Sequence, residues 1–247
     1  MSRADKQLRR RKRRQRKEEH SYARAVRHWQ GDEAGPPPGG ARRVSLSYEI
    51  TCDPLPGEGA ERLSEVLSDA DREALYVLAS TGDARDAVER IEALLEQIPD
   101  APMLLNWLTL AYTRLGDESN AQRVIRRNFE KNPDYLFARL NLIESALQSG
   151  DLSTAELLFG NRFDLQLHYP DRDRFHLTEF RAFNAIAAEY FIRIRDLDAA
   201  HDHVELMEAI DPDSDATVRF REVLNTATVL DTIRRMLQAP FRRRRLS

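Results

Sequence analysis

Cysteine is almost missing from this sequence: Cys52 stands alone among 247 residues. A single cysteine makes no intrachain disulfide, and no Cys/His cluster with zinc spacing surrounds it. The expectation is a lone, inert thiol in a protein that fits a reducing compartment. No apolar run approaches the roughly 20 residues a membrane span needs, and the charged N-terminus lacks the apolar stretch of a secretory signal. The reading is a cytoplasmic protein that does not enter a membrane. Lysine is also scarce, 4 against 34 arginines. Catalytic signatures are missing as well. There is no glycine-rich phosphate loop, no GxSxG and no HExxH, so no enzyme activity, cofactor or metal is expected. His201 and His203 form an HxH pair, but residues two apart on a helix point about 200° apart. Both are expected at the solvated surface.

The charge that is present is unevenly placed. Residues 1–50 hold 14 Lys/Arg and 6 Asp/Glu, a net of +8, and residues 51–241 hold 20 and 35, a net of −15. Much of the first figure comes from one run, Arg9, Arg10, Arg11, Lys12, Arg13, Arg14, Arg16 and Lys17. Lys/Arg neutralise phosphates and release counterions, and Tyr22 and Trp29 just beyond could stack on bases. The run is therefore a nucleic-acid candidate, although an acidic body would repel a polyanion. A second possibility is that the arm folds back on that body. "GDEAGPPPGGA" at 31–41 breaks regular structure, so 1–43 is read as a mobile arm and linker. Residues 44–59 form an extended segment. Within it "VSLSYEITC" alternates Val44, Leu46, Tyr48, Ile50 and Cys52 like a strand, with no obvious sheet to join. Residues 239–247 are a basic tail containing Arg242–Arg245.

From residue 60 to 238 the pattern turns helical, and it repeats. Gly82-Asp83, Gly116-Asp117 and Gly150-Asp151 recur every 34 residues. Ala87, Ala121 and Ala155 follow at one fixed offset, and Pro99 and Pro133 at another. Arg195-Asp196, Ala200 and Pro212 repeat these offsets after an insertion of about 11 residues. Each element has a physical reason. Gly ends a first helix in the left-handed conformation, and Asp caps the second. The small Ala sits where the two helices cross. Pro closes the second helix.

This framework resembles the tetratricopeptide repeat. Tyr112 and Phe159 fill two of the family's aromatic positions, whereas Asp71, Leu78 and Arg195 depart from its pattern. The resemblance implies an all-α fold: a right-handed helical-repeat solenoid of antiparallel helix pairs with units 68–101, 102–135, 136–169 and 181–214. The segment 216–238 would be a C-terminal capping helix, with Phe220, Val223, Ala227, Leu230, Ile233 and Leu237 on one face to seal the stack.

The resemblance also implies a non-catalytic protein-interaction module or adaptor, binding an unidentified peptide or helix in a concave groove. By the family's position rule the groove residues are Met103, Asn106, Leu110, Thr113 and Arg114 in the second unit. The third contributes Phe137, Leu140, Glu144, Leu147 and Gln148. The fourth contributes Ala182, Ala185, Glu189, Ile192 and Arg193. The family subtype that clamps a C-terminal carboxylate uses a Lys/Asn set, and Lys131 is the sole lysine of the repeats. The insertion "LHYPDRDRFHLTEF" (167–180) carries further candidates, Tyr169, Arg174 and His176. It reads either as a partner-binding loop or as a long loop with internal salt bridges and its aromatics tucked inward.

Overall fold

A computed structural model describes residues 46–53 and 63–238. The basic run Arg9–Lys17, Tyr22, Trp29, the Pro/Gly linker, Val44 and Arg242–Arg245 lie outside them. The described residues divide into two compact bodies, parted between residues 180 and 181. The described residues are all-α apart from two three-residue strands.

The first body opens with β1 (Glu49–Thr51). Helices α1 (Asp69–Ser80) and α2 (Ala84–Gln97) follow, then α3 (Pro102–Leu115) and α4 (Glu118–Lys131), then α5 (Leu136–Ser149) and α6 (Leu152–Phe159). The short α7 (Leu165–His168) and β2 (Arg174–His176) complete it. Each helix from α1 to α5 packs on the next, and α1 also touches α3 and α3 touches α5. Leu75, Ile91, Leu95, Leu104, Leu105, Leu108 and Val124 form one continuous core. Ala87, Ala121 and Ala155 are buried at the close crossings.

The second helix of each pair begins on an aspartate. The side chains of Asp83, Asp117 and Asp151 accept from backbone N–H groups of their own first turns. Hydrogen bonds from the Asn120 backbone and side chain to Asp117, and from the Thr154 hydroxyl and then its backbone N–H to Asp151, hold these carboxyls below the usual carboxylate range.

Gly116 and Gly150 take left-handed φ angles of 71° and 79°. Gly82 departs from the expected role: α1 ends earlier, on Thr81, and Gly82 is required because a Cβ there would lie 2.9 Å from the Leu78 Cα. The third pair is cut short, since α6 spans 8 residues and stops at left-handed Gly160. A polar connection also escaped the sequence reading. Asn128, fully buried, donates to the Pro102 carbonyl (3.1 Å), and Asn132 donates to the Asp100 carbonyl (2.9 Å). Together they tie α4 to the turn between α2 and α3.

β1 is not alone. It pairs in parallel with β2, Ile50 opposite Phe175. Tyr48 and Ile50 point into the core, as the alternation predicts.

The second body contains most of α8 (Leu177–Ile194), then α9 (Leu197–Ile210) and α10 (Asp215–Gln238). Asp196 caps α9 by accepting from the Ala199 N–H. Arg195 stands where the other pairs have glycine, and it keeps the same backbone, with φ 67°. A side chain in this region costs about 1 kcal/mol or more relative to glycine. Arg195→Gly is therefore expected to raise stability by about 1 kcal/mol, read as a rise in the midpoint of denaturant unfolding; a fall would contradict the strain assignment.

The expected sealing role of α10 needs correction. Phe220 and Leu224 are buried, but Val223, Leu230, Ile233 and Leu237 are exposed. Of these apolar residues only Phe220 and Leu224, in the first half of α10, are covered.

Candidate functional site

The side-by-side contacts of α1, α3 and α5 place their outward residues on one surface of the first body. Met103, Asn106, Leu110 and Phe137 are half-buried, and Thr113 and Arg114 are exposed. Tyr76, one repeat before Leu110, adds an exposed ring that rests on Trp107 (centroids 6.0 Å). The sequence reading passed over Tyr76, although the 34-residue spacing points to it. Asn106 accepts from the Asn141 amide (2.8 Å), which links α3 to α5.

Other expected groove residues have different work. Leu140 and Leu147 are 1% and 0% exposed, so both are core side chains and not surface ones. The helix face assigned by the family's position rule is turned inward at these two residues. Arg114 spans to the end of α1, where its guanidinium donates to the carbonyls of Leu78, Ala79 and Gly82 at 3.3, 3.0 and 2.9 Å. These carbonyls lie at the negative end of the helix dipole, where a cation is favoured. Glu144 is half-buried.

In the second body, Glu189 and Arg193 pair with each other one turn apart (2.7 Å). Ile192 is half-buried and Ala185 buried. The HxH pair is also split. His201 is exposed, but His203 is buried, contrary to its expected surface place. The His203 Nδ1 lies 2.8 Å from Asn184 Oδ1, and the ring stacks on Phe191 at 5.5 Å. Burial lowers its pKa to about 4, so the ring is neutral at pH 7. Residues that could approach a cation together are His201, Asp202 and Glu205, whose ligand atoms lie within 4.8 Å of one another on the exposed side of α9.

The insertion candidates Tyr169, Arg174 and His176 come together around β2. Arg174 binds Glu49 across the strand pair (3.1 Å), and His176 Nε2 reaches the Cys52 carbonyl (3.2 Å). Arg172 holds Glu179 through both guanidinium ends (2.7 and 3.1 Å) and lies 4.3 Å from the Phe175 ring centre and 5.4 Å from that of Tyr169. Burial pushes the Tyr169 hydroxyl up to about 12. His168 Nε2 lies 2.7 Å from the Arg162 carbonyl and Nδ1 2.8 Å from Arg139. Burial, and secondarily the nearby guanidiniums of Arg139 and Arg162, hold this imidazole below its usual pKa. These contacts bond the insertion within itself, through Arg172 and Glu179, and outward to Glu49, Cys52, Arg139 and Arg162.

Two features thus define the class: paired helices without a membrane-crossing helix among the described residues, and a half-covered apolar surface along the first helices. No family model matches the sequence, and no curated protein and no solved structure matches it.

Proposed function

We propose that this chain is a non-catalytic protein-interaction module or adaptor, built of tetratricopeptide-like solenoid units, that holds a peptide or a partner helix on the surface of α1, α3 and α5. The observation that carries this reading is the row of Tyr76, Met103, Leu110 and Phe137. These apolar side chains are left incompletely covered on neighbouring helices, with Asn106 among them as a polar anchor. Grooves of this composition suit amphipathic helices and extended peptides. The test is affinity purification with the full chain and with Leu110→Glu and Tyr76→Ala variants of unchanged thermal stability. A protein recovered by the parent chain should be lost, or recovered at least tenfold less, with the variants. Unchanged recovery of every partner overturns the reading.

A second reading rests on the composition of Arg9–Lys17: the arm contacts RNA or DNA. Removing residues 1–30 should then abolish a binding whose affinity falls steeply with salt. Binding that survives the deletion removes the arm from consideration.

A further inference from the structure

The row of Tyr76, Met103, Leu110 and Phe137 lies in an uneven field of charge. Residues 63–100, which contain α1 and α2, hold 10 Asp/Glu and 3 Arg, a net of −7. Residues 101–132, with α3 and α4, hold 3 Asp/Glu and 5 Lys/Arg, a net of +2. Residues 133–160, with α5 and α6, hold 4 and 1, a net of −3. The negative charge is thus gathered at the α1 end of the row. Eight of the ten carboxylates there are exposed. Two of them, Asp69 and Glu73, share a face of α1 with Tyr76, seven and three residues before it.

The other end of the row lies beside the point where the described chain begins. Tyr48 meets Phe175 (4.9 Å between ring centres), and Phe175 meets Tyr169 (6.2 Å). The adjacent His168 is bonded to Arg139 of α5 (2.8 Å). A chain leaving residue 46 toward the N-terminus therefore starts at the α5 end. It has two helix spacings, about 20 Å, to cover before it reaches α1.

The preceding segment carries complementary chemistry in the same order. Counting back from residue 46 come the Pro/Gly linker, then Trp29, Val26 and Tyr22, then the eight basic residues of Arg9–Lys17. Counting from the α5 end of the row come Phe137, then Leu110 and Met103, then Tyr76, then the acidic first pair. Trp29 is 17 residues from residue 46, and a chain of that length has an r.m.s. reach of about 20–25 Å. The reach matches the span, so the effective concentration of the arm at the row is on the order of 1 mM.

We infer that residues 22–29 of this chain occupy the surface of α1, α3 and α5, with Trp29 toward α5 and Tyr22 toward α1, and that the run Arg9–Lys17 lies against the carboxylates of the first helix pair. The arm is then a built-in competitor that a partner has to displace. This rests on the reading of the surface as a peptide-binding groove. An arm with an intrinsic Kd of about 0.1 mM covers the row about nine-tenths of the time.

The test is methionine oxidation of the full chain by dilute peroxide, followed residue by residue. Met103 reports the row, and Met236, 71% exposed, is the reference. Val26→Asp together with Trp29→Ala should speed Met103 about tenfold and leave Met236 unchanged. The parent chain at about 0.5 M salt should move toward the same rate, because the ionic contacts are screened. The reciprocal measurement is acrylamide quenching of tryptophan emission. Trp107 is 7% exposed, and Trp29 is the only other tryptophan. Leu110→Glu should release Trp29 and raise quenching, and the rise should vanish when Trp29→Ala is added. A Met103 rate indifferent to the arm substitutions overturns the proposal, as does quenching unchanged by Leu110→Glu. So does a rise at Met236 in place of Met103. Protection of Met103 that is lost on dilution from about 100 µM to about 1 µM overturns it too, since an intramolecular contact is independent of concentration and the arm would belong to a second copy. An arm that shields Met103 while no partner is ever recovered keeps the arm contact and removes the adaptor reading. A partner lost with Leu110→Glu while Met103 ignores the arm does the reverse.

Discussion

Phe175→Ala is expected to destabilise the first body by about 3–5 kcal/mol, the range for deleting a fully buried aromatic side chain. The ring is 0% exposed and sits where three other groups meet. Tyr48 meets it edge-on at 4.9 Å, Tyr169 at 6.2 Å, and the Arg172 guanidinium lies 4.3 Å from its centre. Alanine opens a cavity and removes an aromatic pair and a cation–π contact together, each of the latter two worth about 1 kcal/mol. The damage should spread along the strand pair, because the residue opposite Phe175 is Ile50. Hydrogen exchange at the β1 amides should quicken in this variant, whereas Phe175→Leu should lose about half as much stability. Wild-type exchange at β1 in the alanine variant would show that β1 is held by something other than this ring.

Acid should weaken the second body through His203. Its folded pKa is about 4, against roughly 6.5 in an unfolded chain. The unfolded state binds more protons between those values, so stability falls as pH falls through that window and is fully present above it. The shift corresponds to about 3 kcal/mol. Burial is the larger cause, and the Asp202 carboxylate opposes it. Protonation also strips Nδ1 of nothing but must place a second charged N–H in an apolar site beside Phe191 and Phe183. Thermal unfolding followed from pH 7 to pH 4 should therefore show a steeper loss for the parent chain than for His203→Gln. Equal slopes would remove His203 as the cause. Asp117 and Asp151, whose folded pKa values are depressed, lose their capping contribution at still lower pH, as they protonate.

Much of the helical plan could be read from short signals. The aspartates that follow the repeated step act locally, each on the first turn of its own helix, and a local device is visible in a linear sequence. The same holds for left-handed Gly116 and Gly150. Arg195 shows the limit: the backbone geometry persists with a residue that does not announce it. The partner of β1 was hidden because β2 is three residues inside a charged loop, too short for any period to show. His203 read as a surface residue because its partner Asn184 is 19 residues away, on another helix. The groove was harder still. Periodicity tells which residues of a helix share a face, but not which neighbour covers that face. Leu140 and Leu147 proved to be core, while Tyr76 proved to be open. The same ambiguity hid which apolar residues of α10 are covered.

The parallel pairing of β1 with β2 decides where this chain can be trimmed. A version starting after residue 43 keeps Tyr48 and Ile50 and leaves the strand pair whole. One starting at residue 60, where the helical pattern begins, removes both side chains and uncovers the β2 edge. An unpaired edge is a template for another strand, so the shorter version should be the more aggregation-prone of the two, despite retaining every helix from α1 to α10.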